Sequence, residues 1–248
     1  MALNADQIAV YRATGYLTVP GAVPQRVVAG LCAEWQRLWD AIDINADHRF
    51  VHWRKTDDGG RVADRLDPVS QLSETYARTA LSPALLGLAE SLLGGPAFVL
   101  KDKLISKAPQ TGGYSLHQDW PYWASTGVKP GHVLTIAVAL DPTTQANGAT
   151  AFYRGQHKTV LPSDAGGLDV DPKALAGLGA DTITMAPGDA VCFHSLTPHH
   201  SQPNRAQSSR RSWFITYAKR SADSKRLMAL YDAALDDVHR AHRRDALT

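Results

Sequence analysis

In the stretch "SLHQDWPYW", residues 115–123, a histidine and an aspartate stand two apart, His117 and Asp119, and three aromatic rings follow, Trp120, Tyr122 and Trp123. On a β-strand, residues two apart project from one face, so an imidazole and a carboxylate at this spacing can reach the same ion. Two histidines and one carboxylate make the facial set by which non-haem Fe(II) oxygenases hold iron, with three coordination positions left open. The pair lacks the second histidine. His194, His199 and His200, in "CFHSLTPHHSQPN", are the candidates, and as chain neighbours only one of His199 and His200 can face a shared site. Taken alone, an H-x-D pair is weak, because a surface His–Asp hydrogen bond needs no more than that.

The segment "RRSWFITYA" strengthens the case, since it starts with Arg210 and Arg211 and then turns apolar. Arginine grips a carboxylate through two parallel hydrogen bonds, and a strand with a cationic head beside a metal site reads as an anion clamp. A metal ion with a carboxylate clamp is what 2-oxoglutarate needs: its 2-oxo acid end chelates iron and its distal carboxylate takes the arginine.

The elements that must position these residues can be read from periodicity and turn signals. The first 45 residues read as helix, short strand ("GYLTVP") and helix, with Asn4 and Gln7 as a capping box and Trp35 and Trp39 as core. Residues 46–70 are charged and read as a long loop carrying Trp53, Arg54, Arg61, Asp64 and Arg65. "SPALLGLAESLLGG" is a helix with a Gly-Gly stop, after which seven short apolar runs separated by "APQTGG", "NGA", "APGD" and "SQPNRAQSS" imply a β sandwich or barrel. The expected organisation is one domain over 1–248, with a helical part at 1–95, a β core at 96–220 and a C-terminal helix at 221–245. Trp120, Tyr122 and Trp123, with Trp53 and Arg65 of the 46–70 loop, are the candidate walls of a substrate pocket.

Composition narrows the class. In 248 residues, 44% apolar and 20% charged, a net charge of +2 gives no sign of nucleic-acid binding, and "HRAHRR" at 239–244 reads as helix-end charge on a solvated surface. No run approaches the roughly 20 apolar residues that cross a bilayer, and "MALNADQIAV" lacks the make-up of a secretion signal. Cys32 and Cys192 follow no ligand spacing and fit reduced thiols. A cytoplasmic protein acting on a small molecule, with no nucleic-acid or membrane partner, is expected.

The succession H-x-D, NGA, PGD, H-x-S-x-P-N and arginine resembles the phytanoyl-CoA dioxygenase family, from "GYLTVPG" to "RRSWFITYA". Its most specific pieces are "LHQD", "ALDPTTQANGATAFYRGQHK" and "PGDAVCFHSLTPHHSQPNRAQSSRR". The resemblance implies a mainly β fold with flanking helices, a double-stranded β-helix or jelly-roll core, and Fe(II)- and 2-oxoglutarate-dependent use of O2. It places the iron ligands on His117, Asp119 and His199, and the cosubstrate's distal carboxylate on Arg210 and Ser201. Lys103 and Thr135 fall at positions that line the cosubstrate pocket in relatives; Thr135 lies where relatives often carry a tryptophan, and this chain has none between 124 and 212. Hydroxylation of an unactivated C–H bond, with release of succinate and CO2, is the expected reaction. Desaturation, epimerisation and ring formation use the same ligands, whereas halogenating relatives replace the carboxylate that Asp119 supplies here. The competing classes are a zinc hydrolase, which explains neither the missing H-E-x-x-H nor Arg210, and a non-catalytic β-barrel binding module.

Overall fold

The computed structural model describes residues 3–43, 50–56, 59–163 and 167–233. Helix α1 (Ala5–Thr14) opens on the expected capping box, in which the Asn4 side chain accepts from the Gln7 N–H and the Gln7 side chain accepts from the Asn4 N–H. It stops at Gly15, whose φ of 90° suits a residue without Cβ. Strand β1 (Tyr16–Val19) follows, then α2 (Gln25–Asp40), which buries Val28, Leu31, Trp35 and Leu38 along one face.

The 46–70 segment is not the loop that its charge implied. Two strands, β2 (Val51–Lys55) and β3 (Arg61–Leu66), pair as an antiparallel hairpin across the Gly59–Gly60 turn. Alternation was masked because both hairpin faces carry charge, inward as well as outward. Helix α3 (Glu74–Ala80), capped by Ser73, was also unanticipated, whereas α4 (Pro83–Leu93) starts on Ser82 and ends at the Gly-Gly stop.

The remaining strands are β4 (Ala97–Lys107), β5 (Tyr114–His117), β6 (Val133–Ala139), β7 (Thr150–Phe152), β8 (Asp181–Thr182), β9 (Ala190–His194), β10 (His199–Ser201) and β11 (Arg210–Lys219). They build a seven-stranded antiparallel sheet, β1-β9-β6-β11-β4-β3-β2, and a four-stranded one, β5-β10-β7-β8. The part expected to be mainly helical thus gives three strands to the larger sheet, β1 as the sequence implied and β2 and β3 beyond it. A helix over 224–233 follows; the rest of the expected 221–245 helix, with "HRAHRR", lies outside the described residues.

Alternation along β11 divides the larger sheet's two faces. Trp213, Ile215 and Tyr217 are fully buried against α2, α3 and α4, in a cluster that includes Leu31, Tyr76, Leu85 and Leu88. Each such large side chain contributes roughly 1.5–3 kcal/mol on burial. Arg210, Phe214 and Thr216, on the opposite face, look into a cavity between the two sheets. The long β4–β11 ladder, from Arg210↔Lys107 to Lys219↔Ala97, fixes where each inward side chain lies along that cavity.

Candidate active site

The smaller sheet brings two histidines together across one rung: His117 at the end of β5 is the direct partner of His199 at the start of β10. Their rings lie 4.2 Å apart. Asp119 arrives differently from the strand alternation the sequence implied. The strand ends at His117, and the backbone is helical at Asp119 (φ −72°, ψ −37°), where the 3-10 turn Trp120–Thr126 begins. Between the two ligand-type residues, Gln118 is fully buried; its amide donates to the Thr159 and Leu196 carbonyls and its oxygen accepts from the Leu161 N–H. That anchor swings the chain so that Asp119 Oδ1 comes 3.7 Å from His117 Nε2 and 4.0 Å from His199 Nε2.

Both rings are oriented from behind. His117 Nδ1 meets the Ser115 carbonyl at 2.8 Å and His199 Nδ1 meets the Thr197 carbonyl at 2.9 Å. A carbonyl only accepts, so each Nδ1 carries the proton and each Nε2 keeps its lone pair toward the centre. Burial, with His117 beside it, pushes His199 down to about 3, which leaves it neutral and ready to ligate. Thr197 in turn donates its hydroxyl to the Gly15 carbonyl, and a Cβ on Gly15 would sit 2.8 Å from that hydroxyl, so the glycine closing α1 supports His199 from the far side of the fold. Thr135 donates to Asp119 Oδ2 at 3.0 Å and holds Thr216 at 3.2 Å, which leaves Oδ1 for an ion. Burial raises the Asp119 carboxyl, but His199, His117, Lys103 and the Thr135 hydroxyl outweigh it and the net shift is downward.

Three ligand-type atoms, one from each of His117, Asp119 and His199, lie within 4.8 Å of one another. The donor set, the fixed tautomers and the open side all fit a divalent transition metal held on one face. Phe193 and Phe152 pack on the His199 ring at 4.8 and 5.6 Å and shield it from solvent. His194 turns instead to His157, with ring centroids 5.4 Å apart, and His200 borders the cavity without joining the cluster.

The triad opens into a cavity of about 580 Å3 that is also bordered by Ser201, Arg210, Lys103, Thr135, Tyr122, Trp123 and Arg65. Arg210 is 2% exposed, and its Nε has no hydrogen-bond partner. No carboxylate pairs with it among the described residues, and burial lowers its affinity for its own proton. Arg211 points the other way, paired with Asp141 at 2.7 Å and stacked on Trp35 at 5.0 Å. Beside Arg210 on the ladder stands Lys107, buried and not singled out by the sequence. Its ammonium donates to Ser201 Oγ, the Gly148 carbonyl and the Gln202 carbonyl at 2.7–3.2 Å, and burial with Arg210 and Arg54 nearby brings it down to about 7. A spacing rule that places every second β4 residue on one face would have found Lys107, Lys103 and Lys101 together. Tyr114 is a further residue the sequence passed over; it donates to Asp64, itself paired with Arg54.

Two proposed pocket residues are elsewhere. Trp120 turns its indole N–H to the Val128 carbonyl at 2.8 Å and Trp53 lies under Arg61 at 4.4 Å, so neither borders the cavity. The indole hydrogen bond to Val128 holds Trp120 against the segment that follows the 3-10 turn, and pairing in β2 commits Trp53 to the sheet.

Comparison with known proteins gives the family. Residues 11–212 match the family "Phytanoyl-CoA dioxygenase (PhyH)". The chain is 31% identical to the 2-aminoethylphosphonate dioxygenase of uncultured bacterium HF130_AEPn_1, over 90% of this chain and 84% of that one. It is 30% identical to the methylphosphonate hydroxylase of Gimesia maris, over 87% and 80% of the two chains. In fold it is similar to EctD from S. alaskensis with 2-oxoglutarate and 5-hydroxyectoine, with a TM-score of 0.75, 22% identity and coverage of 88% and 76%. With a family model spanning most of its length and its ligand-type residues gathered at the mouth of one cavity, the chain belongs to the phytanoyl-CoA dioxygenase family of Fe(II)- and 2-oxoglutarate-dependent oxygenases.

Proposed function

We propose that this oxygenase hydroxylates an unactivated C–H bond of a small organic molecule, with His117, Asp119 and His199 holding Fe(II) and Arg210 holding the distal carboxylate of 2-oxoglutarate. The observation that carries the reading is the pairing, in one cavity, of three converged ligand atoms with a buried guanidinium that no carboxylate pairs among the described residues. Bound together, Fe(II) and 2-oxoglutarate supply an oxidant made from O2, with succinate and CO2 released and one oxygen atom given to the substrate. The protein's part is to orient and to exclude water. The Ser115 and Thr197 carbonyls keep both imidazoles aimed, and Thr135 keeps one Asp119 oxygen away from the centre. Ser201, held by Lys107, lies on the same side as Arg210 and completes the carboxylate seat. Tyr122, set edge-on to the His117 ring, and buried Trp123 narrow the entrance.

The whole chain works as one domain, since the N-terminal segment supplies β1, β2 and β3 to the sheet that carries Arg210. Two free cysteines fit a reducing cytoplasm, and no helix of the described residues is long and apolar enough to cross a membrane. Relatives named for methylphosphonate, 2-aminoethylphosphonate and L-proline support a substrate among small, charged organic molecules. The test is aerobic incubation of the Fe(II)-loaded protein with 2-oxoglutarate and a panel of such compounds, scored for succinate and for a product carrying one added oxygen atom. Succinate formed equally with and without every candidate, and no oxygenated product, would count against the reading.

A further inference from the structure

The cavity carries a second group of charges that the oxygenase chemistry does not use. Lys101 and Lys103 are inward residues of β4, and Arg65 enters from β3, opposite Ile105. Among them sits Asp67, 3% exposed, 3.0 Å from Lys101. Three cations against one carboxylate leave two positive charges on this wall. Arg65 Nε has no hydrogen-bond partner among the described residues, and a terminal nitrogen of Arg65 lies 3.1 Å from His52 Nδ1. Lys103 lies over the Phe214 ring at 5.6 Å and makes no ion pair among the described residues. Burial and the crowding of Lys101 and Arg65 hold its ammonium down at about 8, against the pull of Asp119 and Asp67.

Most of this wall lies beyond the cosubstrate clamp. Arg210 is the rung partner of Lys107, whereas Arg65 sits at the Ile105 rung, Lys103 at the Phe214 rung and Lys101 at the Thr216 rung, roughly 7, 13 and 20 Å farther along the sheet. A 2-oxoglutarate held by Arg210 does not reach the Lys101 end. Nor does the metal centre consume the excess. Fe(II) with Asp119, 2-oxoglutarate and Arg210 is formally neutral, so the two positive charges remain whichever anion Lys103 touches. The other groups facing the wall are Tyr122 and Tyr231, which bring hydroxyls and rings, and Thr216. Unmatched buried charge is costly, and the arrangement is stable in use only with a ligand of opposite sign.

We propose that Arg65, Lys101 and Lys103 form the seat of a doubly charged tetrahedral oxyanion, a phosphonate on a short carbon chain, which presents its carbon to the metal side of the cavity. The proposal rests on the oxygenase reading and names the substrate class of that same site. Three oxygens meet three cationic donors, and two negative charges match the excess; a carboxylate or sulfonate meets half of it. Asp67 orients Lys101 and stops the three cations from repelling one another out of the cavity.

The test is calorimetric titration of the anaerobic Fe(II)- and 2-oxoglutarate-loaded protein with methylphosphonate, and in parallel arms with methyl phosphate, methanesulfonate and acetate. The visible charge-transfer band of chelated 2-oxoglutarate is recorded in the same samples. Methylphosphonate is expected to bind saturably and more tightly than the other three, and about 10- to 100-fold more weakly in Arg65→Met and Lys101→Met, with the band retained. Arg65→Met orphans no carboxylate, so it carries the test if Lys101→Met fails to fold. Methanesulfonate or acetate binding as tightly, or methylphosphonate affinity unchanged in Arg65→Met, overturns the dianion seat, as does absence of saturable binding in wild type that shows the band. Tighter binding of methyl phosphate overturns the phosphonate assignment. Methylphosphonate binding without any band leaves the seat standing and overturns the oxygenase reading instead.

Discussion

Arg210→Met separates a structural arginine from a cosubstrate clamp, because the two roles predict effects of opposite sign on the cosubstrate-free protein. A guanidinium that is 2% exposed and ion-paired with no carboxylate among the described residues has lost its hydration without recovering it in an ion pair. Methionine of similar reach removes that penalty, so without 2-oxoglutarate the variant should unfold at the same temperature as wild type or higher. With 2-oxoglutarate the order reverses. Truncating one partner of a buried charge pair costs about 2–4 kcal/mol, equivalent to a dissociation constant about 30- to 1000-fold weaker. At a ligand concentration about 100 times the wild-type dissociation constant, wild type gains about 2.7 kcal/mol of stability. For a chain of this size that raises the melting temperature by about 5–10 °C, while the variant gains about 3 °C or less. The assay is thermal unfolding of metal-loaded, anaerobic protein with and without 2-oxoglutarate. A variant that is several degrees less stable without 2-oxoglutarate yet keeps the full ligand-induced shift would refute this account of Arg210.

Other residues give independent expectations. Thr135→Val keeps the shape of a buried side chain but removes the hydroxyl 3.0 Å from Asp119, and should weaken Fe(II) binding about 10- to 100-fold with the fold intact; an unchanged affinity by anaerobic titration would show that Thr135 does not orient the carboxylate. Burial, together with His157 and Lys158, holds His194 down at about 4, below its unfolded value near 6.5. The unfolded chain then binds the extra proton first, so stability is whole above pH ~6.5 and falls by up to ~1.4 kcal/mol per unit as pH drops toward 4. Urea unfolding across that range should show the slope, and His194→Gln should flatten it by about one proton's worth. Gly148 has φ +72°, and a Cβ there would lie 2.2 Å from the Gln202 carbonyl that helps hold Lys107. Gly148→Ala should therefore cost about 1–3 kcal/mol or more in urea unfolding, and wild-type stability in that variant would contradict the close approach.

Much of the site was legible because its chemistry is carried by residue types at short spacings: the H-x-D pair, the neighbouring histidines and the strand-head arginine all border one cavity. What the sequence could not supply was the backbone that joins them. Asp119 reaches the centre through a turn set by buried Gln118, a long-range anchor with no local signature. The choice between His199 and His200 depends on a rung of β10 against β5, two very short strands whose pairing is a tertiary event. The β2–β3 hairpin was hidden for a related reason. Its two strands carry Arg54, Asp64 and Arg65 among the apolar residues, so periodicity had little to report, and the cationic wall to which Arg65 belongs stayed out of view. Helices α2 and α4 were readable because they bury plain apolar stripes.

Anaerobic titration of the metal-free protein with Fe(II) in the presence of 2-oxoglutarate tests the central claim most directly. Wild type and His200→Ala should develop the visible charge-transfer band of iron-chelated 2-oxoglutarate, and His199→Ala should not. A band that survives in His199→Ala, or none in folded wild type, would contradict the assignment of His117, Asp119 and His199 as the iron site.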